Sequence, residues 1–411
     1  MRCSVLAIFE VCDIFFRYFA KLRHVSCNYM KTITFILGAG FSVYAKISDR
    51  NKINEKLKNL KATDFIISTV SIAYFIPENY PNSQWLNVSE RNYIEFFIKR
   101  YSTNNTDFDY EKFYDYCTGL YNNHSTSSEL QTIHEEYLKI NPHYQLDKLN
   151  SISILIRSID QLIDNILYSD KDLFDSGIIN FYSNFLSIIE KLIEDGNKVN
   201  IFTLNHDILL ENLLCTSRNL KFDDGFQFFK SQYYIKQNNG QYRIKYYSGL
   251  YSESLKIFKL HGSIDNYIIR QSEPFDMVKI PKKLNLLELY REKEDGNKII
   301  EEHLWTLYTP SFLSGDITKV SKYTSHPYYI DMFKHLSSQL NDTSILFTIG
   351  YGLMDEELNN KIFHSYPSDR KIIVIKPTKG NPLFYKNENV IHFGTGKELK
   401  DLTLNDIVNE L

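Results

Sequence analysis

The chain has 411 residues, 43% of them hydrophobic and 24% charged, ordinary values for a folded protein that exclude wholesale disorder. That length accommodates one large α/β domain with insertions, or two domains, and either can bury a sizeable core. The formal net charge of −3 excludes bulk electrostatic attraction to nucleic acid or anionic lipid, so neither direct nucleic-acid binding nor a membrane partner is expected.

The first 29 residues carry two apolar runs, Val5–Phe9 and Ile14–Phe19, broken by Glu10, Asp13 and Arg17. A membrane span needs roughly 20 consecutive apolar residues, and a secretory signal needs a charged start and a small-residue cleavage site. The segment has neither pattern and reads as an amphipathic extension, with Met30 as an alternative start immediately before the first strand. The five cysteines, Cys3, Cys12, Cys27, Cys117 and Cys215, form no Cys-x-x-Cys pair. Neither a zinc ribbon nor a disulfide framework is expected, and a reducing cytoplasm is the simplest setting.

Short apolar runs then recur, each ending in a glycine or polar motif. Ile33–Leu37 ends in Gly38-Ala39-Gly40-Phe41-Ser42, and Val199–Leu204 in Asn205-His206-Asp207. Ile257–Leu260 ends in His261-Gly262-Ser263, and Ile345–Ile349 in Gly350-Tyr351-Gly352. Ile372–Ile375 and Val390–Phe393 follow, stopped by Lys376-Pro377 and Gly394-Thr395-Gly396. Such runs fit parallel strands buried on both faces. In an open α/β sheet, ligands bind outside the carboxyl ends of the strands, so these motifs should converge on one crevice.

Between the first two runs the pattern is helical: Ile152, Leu155, Ile159, Leu162 and Ile166 share a face, as do Phe181, Phe185, Ile188 and Leu192. The aromatic stretch from about Asn92 to Cys117 reads as helix too, with core packing favoured over base stacking. Tyr233-Tyr234-Ile235 and Tyr242-Arg243-Ile244 flank Asn238-Asn239-Gly240-Gln241, a hairpin signal. The run Arg291–Gly296 reads as a solvated loop. The expected fold is a Rossmann-like open, mainly parallel α/β sheet with a large helical insertion and a small β-hairpin insertion. Its catalytic domain would span 30–400, with the helical insertion at about 50–195, the hairpin at about 226–255, and a tail at 401–411.

The motifs have definite chemistry. Gly38 and Gly40 allow a pyrophosphate close to the backbone, and a helix opening there would present unpaired N–H groups to it. Val43 stands where a dinucleotide fingerprint has its third glycine, which disfavours a dehydrogenase. Asn205 offers donors and an acceptor to hold a ribose hydroxyl or a water, and Asp207 is an acceptor for a hydroxyl or for its own loop. His261 carries an imidazole, a group that when unperturbed titrates near neutrality and can take a proton. His206, one position along from Asn205, should face away from it. Asp355 suits a helix cap or a ribose hydroxyl, the cap being favoured. Each motif alone also has an ordinary structural reading, as a turn or a packed side chain.

Taken together and in order, they resemble the sirtuin-like family. Gly38–Ser42 is similar to its Gly-Ala-Gly-x-Ser loop, Thr203–Asp207 to its Thr-x-Asn-x-Asp motif, and Leu260-His261-Gly262 to its catalytic His-Gly. Gly350–Asp355 looks like the late Gly-x-Ser-x-x-Asp segment, with Gly352 where Ser is commoner. The resemblance departs at two places. The four-cysteine zinc module of the deacylases has no counterpart, and Tyr44–Arg50 replaces their Gly-Ile-Pro-x-Phe-Arg segment.

The resemblance therefore implies the NAD-hydrolysing branch found in prokaryotic anti-phage defence. In it NAD+ is the substrate, no zinc is needed, and Asn205 and His261 are catalytic. Gly38, Ala39, Gly40, Phe41, Ser42, Asp207, Gly350, Tyr351, Gly352 and Asp355 would contact the dinucleotide. A homo-oligomer, and a partner that is an ATPase of the HerA translocase type or an Argonaute, are implied in the same way. The alternatives are an NAD-dependent deacylase or ADP-ribosyltransferase on this fold, and a subunit that senses NAD or ADP-ribose without turnover.

Overall fold

The computed structural model describes residues 30–67, 73–74, 86–168, 176–217, 220–237, 240–269, 276–282, 284, 288–296, 298–304, 310–313, 315, 326–352, 355–375, 390–393, 399–401 and 403. The N-terminal extension, Asn238-Asn239, Gly394-Thr395-Gly396 and most of the C-terminal tail lie outside these residues.

Strand β1 (Thr32–Leu37) leads through one 3-10 turn (Ala39–Phe41) to helix α1 (Arg50–Lys58) and a ribbon of β2 (Ile66–Ile67) and β3 (Ala73–Tyr74). Five helices follow: α2 (Val88–Asn104), α3 (Tyr110–Asn122), α4 (Ser128–Ile140), α5 (Lys148–Leu167) and α6 (Ser176–Glu194). Strand β4 (Lys198–Thr203) and helix α7 (Leu209–Thr216) precede a β-rich stretch. That stretch holds β5 (Phe222–Asp223), β6 (Phe226–Gln227), β7 (Tyr233–Gln237), β8 (Gly240–Arg243), β9 (Lys245–Tyr247), β10 (Leu255–Lys259), β11 (Asn266–Ile269), β12 (Asp276–Lys279), β13 (Leu289–Asp295) and β14 (Lys298–His303). The chain closes through α8 (Pro327–Asp342), β15 (Ile345–Ile349), α9 (Glu356–Ser365), β16 (Lys371–Ile375) and β17 (Val390–Phe393).

Seven of these strands form one sheet in the order β17-β16-β15-β1-β4-β10-β5, and every pairing in it is parallel. The expected Rossmann-like α/β architecture with a helical insertion is present. Its strands read as unbroken apolar runs because both faces are buried. In β1, Ile33, Phe35 and Leu37 pack into the core under the helical insertion, while Ile36 joins a second core with α8 and α9 on the opposite face. β4 divides in the same way, Val199 and Ile201 against Phe202, and β15 places Phe347 on one face and Leu346 on the other. The rings of Phe35 and Phe347 stack with centroids 4.9 Å apart, tying the two strands together.

The aromatic stretch after residue 92 is core, as expected, but it is two helices rather than one. Asp109 caps α3, accepting the backbone N–H groups of Glu111 and Lys112, and so restarts the helix after α2 has ended. Tyr93, Phe97, Phe113 and Tyr114 are buried among one another. The hairpin of β7 and β8 is present, and the β-rich region runs on well past residue 255.

The solvated loop expected at 291–296 is instead mostly strand. Arg291 to Asp295 lie in β13, which sits between β14 and β7 in a four-stranded sheet. Ladder bonds and the Arg291–Glu302 ion pair, 2.6 Å across the hairpin, hold charged side chains in an extended chain.

The order of the sheet sets the position of the site. From β1 the chain builds outward on one side through β4 and β10, then returns to add β15, β16 and β17 on the other. A crevice opens where the direction of winding reverses, between β1 and β15.

Candidate active site

The loops that follow β1, β4, β10 and β15 meet at this crevice, around a cavity of about 310 Å3. Its lining includes Gly38, Ala39, Ser42, Asn205, His206, Asp207, His261, Gly350, Tyr351, Gly352 and Asp355. All the sequence-derived candidates except Gly40 and Phe41 are thus on one wall. The facing wall comes from the start of α1, with Asp49 and Arg50, and from the helical insertion, with Tyr110, Glu111 and Leu167.

The glycine loop departs from expectation. No α-helix opens behind it; the segment is a single 3-10 turn, and the next α-helix starts at Arg50. Four of the five N–H groups of Gly38–Ser42 are moreover already bonded within the protein. Gly38 donates to Ile349 O, Gly40 to Gly350 O, Phe41 to Gly38 O and Ser42 to Ala39 O, all at 2.9–3.1 Å. The glycines are required by a backbone-to-backbone contact. A Cβ on Gly38 would lie 2.7 Å from Gly350 O, and one on Gly350, whose φ is +61°, would lie 2.4 Å from the Phe41 nitrogen. Phe41 turns its ring into the core against Tyr182 and Phe185, so its side chain does not reach the cavity. Tyr351 likewise points inward, its hydroxyl donating to Asn359 Oδ1 at 2.7 Å.

Asn205 is held in one orientation. Its Nδ2 donates to Gly38 O at 3.1 Å and to Ser42 Oγ at 2.9 Å, while Ser42 Oγ donates to Asp207 Oδ2 at 2.9 Å. A carbonyl and a carboxylate only accept, so the direction of every bond is fixed and the amide cannot be flipped. Both amide hydrogens are committed to the loop, and Oδ1 remains to accept from a bound hydroxyl or water. Asp207 is correspondingly occupied: its other oxygen accepts from Leu209 N at 3.0 Å. It braces the loop from within. Burial pushes its carboxyl above the usual carboxylate range, opposed by the Lys259 ammonium and by the donors from Leu209 and Ser42.

His261 follows β10 and is 8% exposed. Gly262, with φ +77°, lets the chain pass close to Ser311, where a Cβ would lie 2.3 Å from the carbonyl oxygen. The imidazole Nε2 lies 3.3 Å from Asp355 Oδ2. His206 was expected to face away from Asn205. Its ring does go elsewhere, 4.9 Å from Phe312 and 6.1 Å from His261 between centroids, yet it still lines the cavity.

A scan against models of protein families finds no match, and a search of curated proteins finds none. Solved structures do match. The chain is similar to Sir2 structures. One described as a Sir2 homologue–NAD complex covers 93% of this chain and 91% of its own at 9% identity, with a TM-score of 0.40. One on the mechanism and regulation of Sir2 enzymes covers 93% and 92% at 11% identity and a TM-score of 0.35. One described as Sir2 bound to acetylated peptide covers 93% and 92% at 9% identity and a TM-score of 0.33.

Other site residues carried a weaker sequence signal. Lys259 ends the apolar strand β10 and is 4% exposed. Its ammonium donates to Asp207 O and lies 3.1 Å from Glu211, which in turn lies 3.5 Å from Lys279. Lys279 reaches Asp224 at 2.7 Å, so a buried chain of charges ties the Asn205 loop to β12. A lysine inside a buried strand is the clue that sequence reading passed over. Arg50 lines the cavity and is held by Asp109 at 2.8 Å and Glu111 at 2.9 Å. Among the described residues no group of three or more His, Cys, Asp or Glu is placed to hold a metal ion, and no helix is long and apolar enough to cross a membrane.

Proposed function

We propose that the chain binds NAD+ in this cavity and cleaves the bond between nicotinamide and ribose, with water as the acceptor. The observation that carries the reading is the pairing of an amide of fixed orientation, Asn205, with a buried His261–Asp355 pair on one cavity wall. The electron pair of the broken C–N bond leaves with nicotinamide, and an oxocarbenium-like ribosyl centre remains. Asn205 Oδ1 is suited to orient the water, and His261 to accept its proton. Acid–base help of this kind is typically worth about 10²–10⁴-fold. The backbone of Ala39 and Gly352 and the lining around Arg50 would hold the rest of the dinucleotide.

The test is nicotinamide release from NAD+ by the purified chain, followed by chromatography. Asn205→Ala and His261→Ala should abolish release while the protein stays folded. Undiminished NAD+ consumption by both variants would sink the assignment.

A second reading keeps the bond cleavage and passes the ribosyl centre to an acyl-lysine. Acetylated peptide is named for one of the similar structures. Nicotinamide release that requires an acetyl-lysine peptide would establish that reading, whereas release without peptide supports hydrolysis. Tight NAD+ binding with no product in either assay would point to a sensing subunit. The resemblance to the anti-phage branch extends the first reading to NAD+ depletion in defence, as a homo-oligomer or with an ATPase or Argonaute partner. Loss of cellular NAD+ on phage challenge, absent with Asn205→Ala, is the expected result.

A further inference from the structure

Lys259 is buried at the end of β10, after the buried Ile257 and Phe258 and before the buried Leu260. An ammonium taken out of water is costly unless partners replace the solvent. Here the partners lie on the neighbouring strand and its helix. β10 and β4 run parallel with Lys259 opposite Thr203, and Leu260 N–H donates to Thr203 O at 3.0 Å. Beyond that pair β4 enters the Asn205-His206-Asp207 turn and β10 enters His261-Gly262. The Lys259 ammonium donates across to Asp207 O and lies 3.1 Å from Glu211 Oε1, in the first turn of α7. We propose that Lys259 is a positioning residue that fixes the Asn205 turn relative to His261 on the adjacent strand end. Its catalytic consequence rests on the NAD+-cleavage reading.

The turn is gripped at consecutive residues. Ile264 N–H and Ser263 Oγ, from the loop after His261, donate to His206 O at 3.0 and 3.3 Å. Lys259 then takes the next carbonyl, that of Asp207. The carboxylate of the same residue accepts Ser42 Oγ, which accepts Asn205 Nδ2, both at 2.9 Å. A shift of the Asp207 backbone is therefore passed to the Asn205 amide through two hydrogen bonds. The lysine's own backbone is anchored as well, since Tyr328 of α8 donates to Lys259 O at 3.0 Å. One side chain thus joins the strand that carries the histidine to the residue that braces the amide. An ammonium has three donors and no acceptor, so it serves a carbonyl and a carboxylate at once; methionine fills similar space and holds neither. A misplacement of about 1 Å at a reacting centre can cost about 100-fold in rate.

The test separates positioning from stability. Lys259→Met with Glu211→Gln removes one charge of each sign and leaves Lys279 with Asp224, at 2.7 Å. Exchanging a buried ion pair for neutral groups of similar volume is often neutral in stability, so the double variant should melt closer to wild type than Lys259→Met does. Hydrogen-exchange mass spectrometry of the full chain reads the turn directly, because Leu204, Asn205 and Leu209 N–H are all bonded there. Peptides covering 203–209 should exchange at least about tenfold faster in both variants, with the β1 peptide within about twofold of wild type. In the double variant kcat for nicotinamide release should stay about 10–100-fold down, with KM for NAD+ within about threefold. A lysine needed only for stability would return turnover together with the melting temperature. Unchanged exchange at 203–209, or a double-variant kcat within about threefold of wild type, overturns the proposal, and so does failure of both variants to fold. If the wild type releases no nicotinamide, the NAD+-cleavage reading alone fails, and the exchange contrast still decides whether Lys259 holds the turn.

Discussion

Replacing Ser42 by alanine removes a single oxygen, 3% exposed at the residue level, from the middle of the Asn205–Ser42–Asp207 chain. Two hydrogen bonds of 2.9 Å are lost. On one side Asp207 Oδ2 forfeits its donor while remaining buried; leaving a buried charged acceptor short of a partner costs about 1.5–3 kcal/mol. On the other, Asn205 keeps its bond to Gly38 O but loses the contact that fixes the second amide hydrogen, worth about 0.5–1.5 kcal/mol. The sum is about 2–4.5 kcal/mol, measurable by urea denaturation. Nicotinamide release should fall about 10–100-fold, because the amide gains rotational freedom where a water must be oriented. A double-mutant cycle with Asp207→Asn separates the two sides. Ser42 and Asp207 are in direct contact, so a coupling of about 0.5–3 kcal/mol is expected. A stability loss below about 0.5 kcal/mol together with unaltered turnover would refute the reasoning, since it would mean that solvent or a neighbour already satisfies both partners.

Two further outcomes follow from the buried charges. Lys259→Met should destabilise the fold by about 3–5 kcal/mol by removing the nearer of the two ammonium groups beside buried Glu211 and leaving it only Lys279 at 3.5 Å, and adding Glu211→Gln should restore part of that loss in thermal or urea denaturation. The stability of the wild type relative to Asp207→Asn should fall as pH rises through the carboxylate range. The raised folded-state pKa means that the stability contribution is complete below the ordinary value of 3.8 and is lost as pH passes the higher folded-state value. Paired melting curves between pH 3.5 and 7 measure this difference; a gap that stays constant or widens in favour of the wild type contradicts the assigned direction.

Much of the architecture was legible because parallel strands buried on two faces have a distinctive composition. Ile33–Leu37 and Ile345–Ile349 announce themselves as apolar runs, and the residues that stop them are those at the carboxyl edge of the sheet. Asn205 and His261 were legible as site candidates for the same reason. The purpose of the glycines was not. Gly38 and Gly40 read as room for a ligand, whereas the space is filled by Gly350, a neighbour that only the finished sheet supplies. The His261–Asp355 contact was hidden likewise, since each residue has an adequate local explanation. Residues 291–296 were misread through their charge: an exposed strand can carry Glu and Lys on both faces when its backbone is satisfied by β7 and β14.

The interlocked glycine loops have a consequence for how this site can change. Gly40 N–H is bonded to Gly350 O, and a Cβ on either residue would enter the other's backbone. The two loops behave as a mortise and tenon cut in separate pieces of the chain. Neither can be reshaped alone, so transplanting the Gly38–Ser42 segment into another scaffold would carry over a surface with nothing to close it. Variation that alters the cavity is easier at the side chains that line it, such as those of α1 and the helical insertion, than at these interlocked backbones.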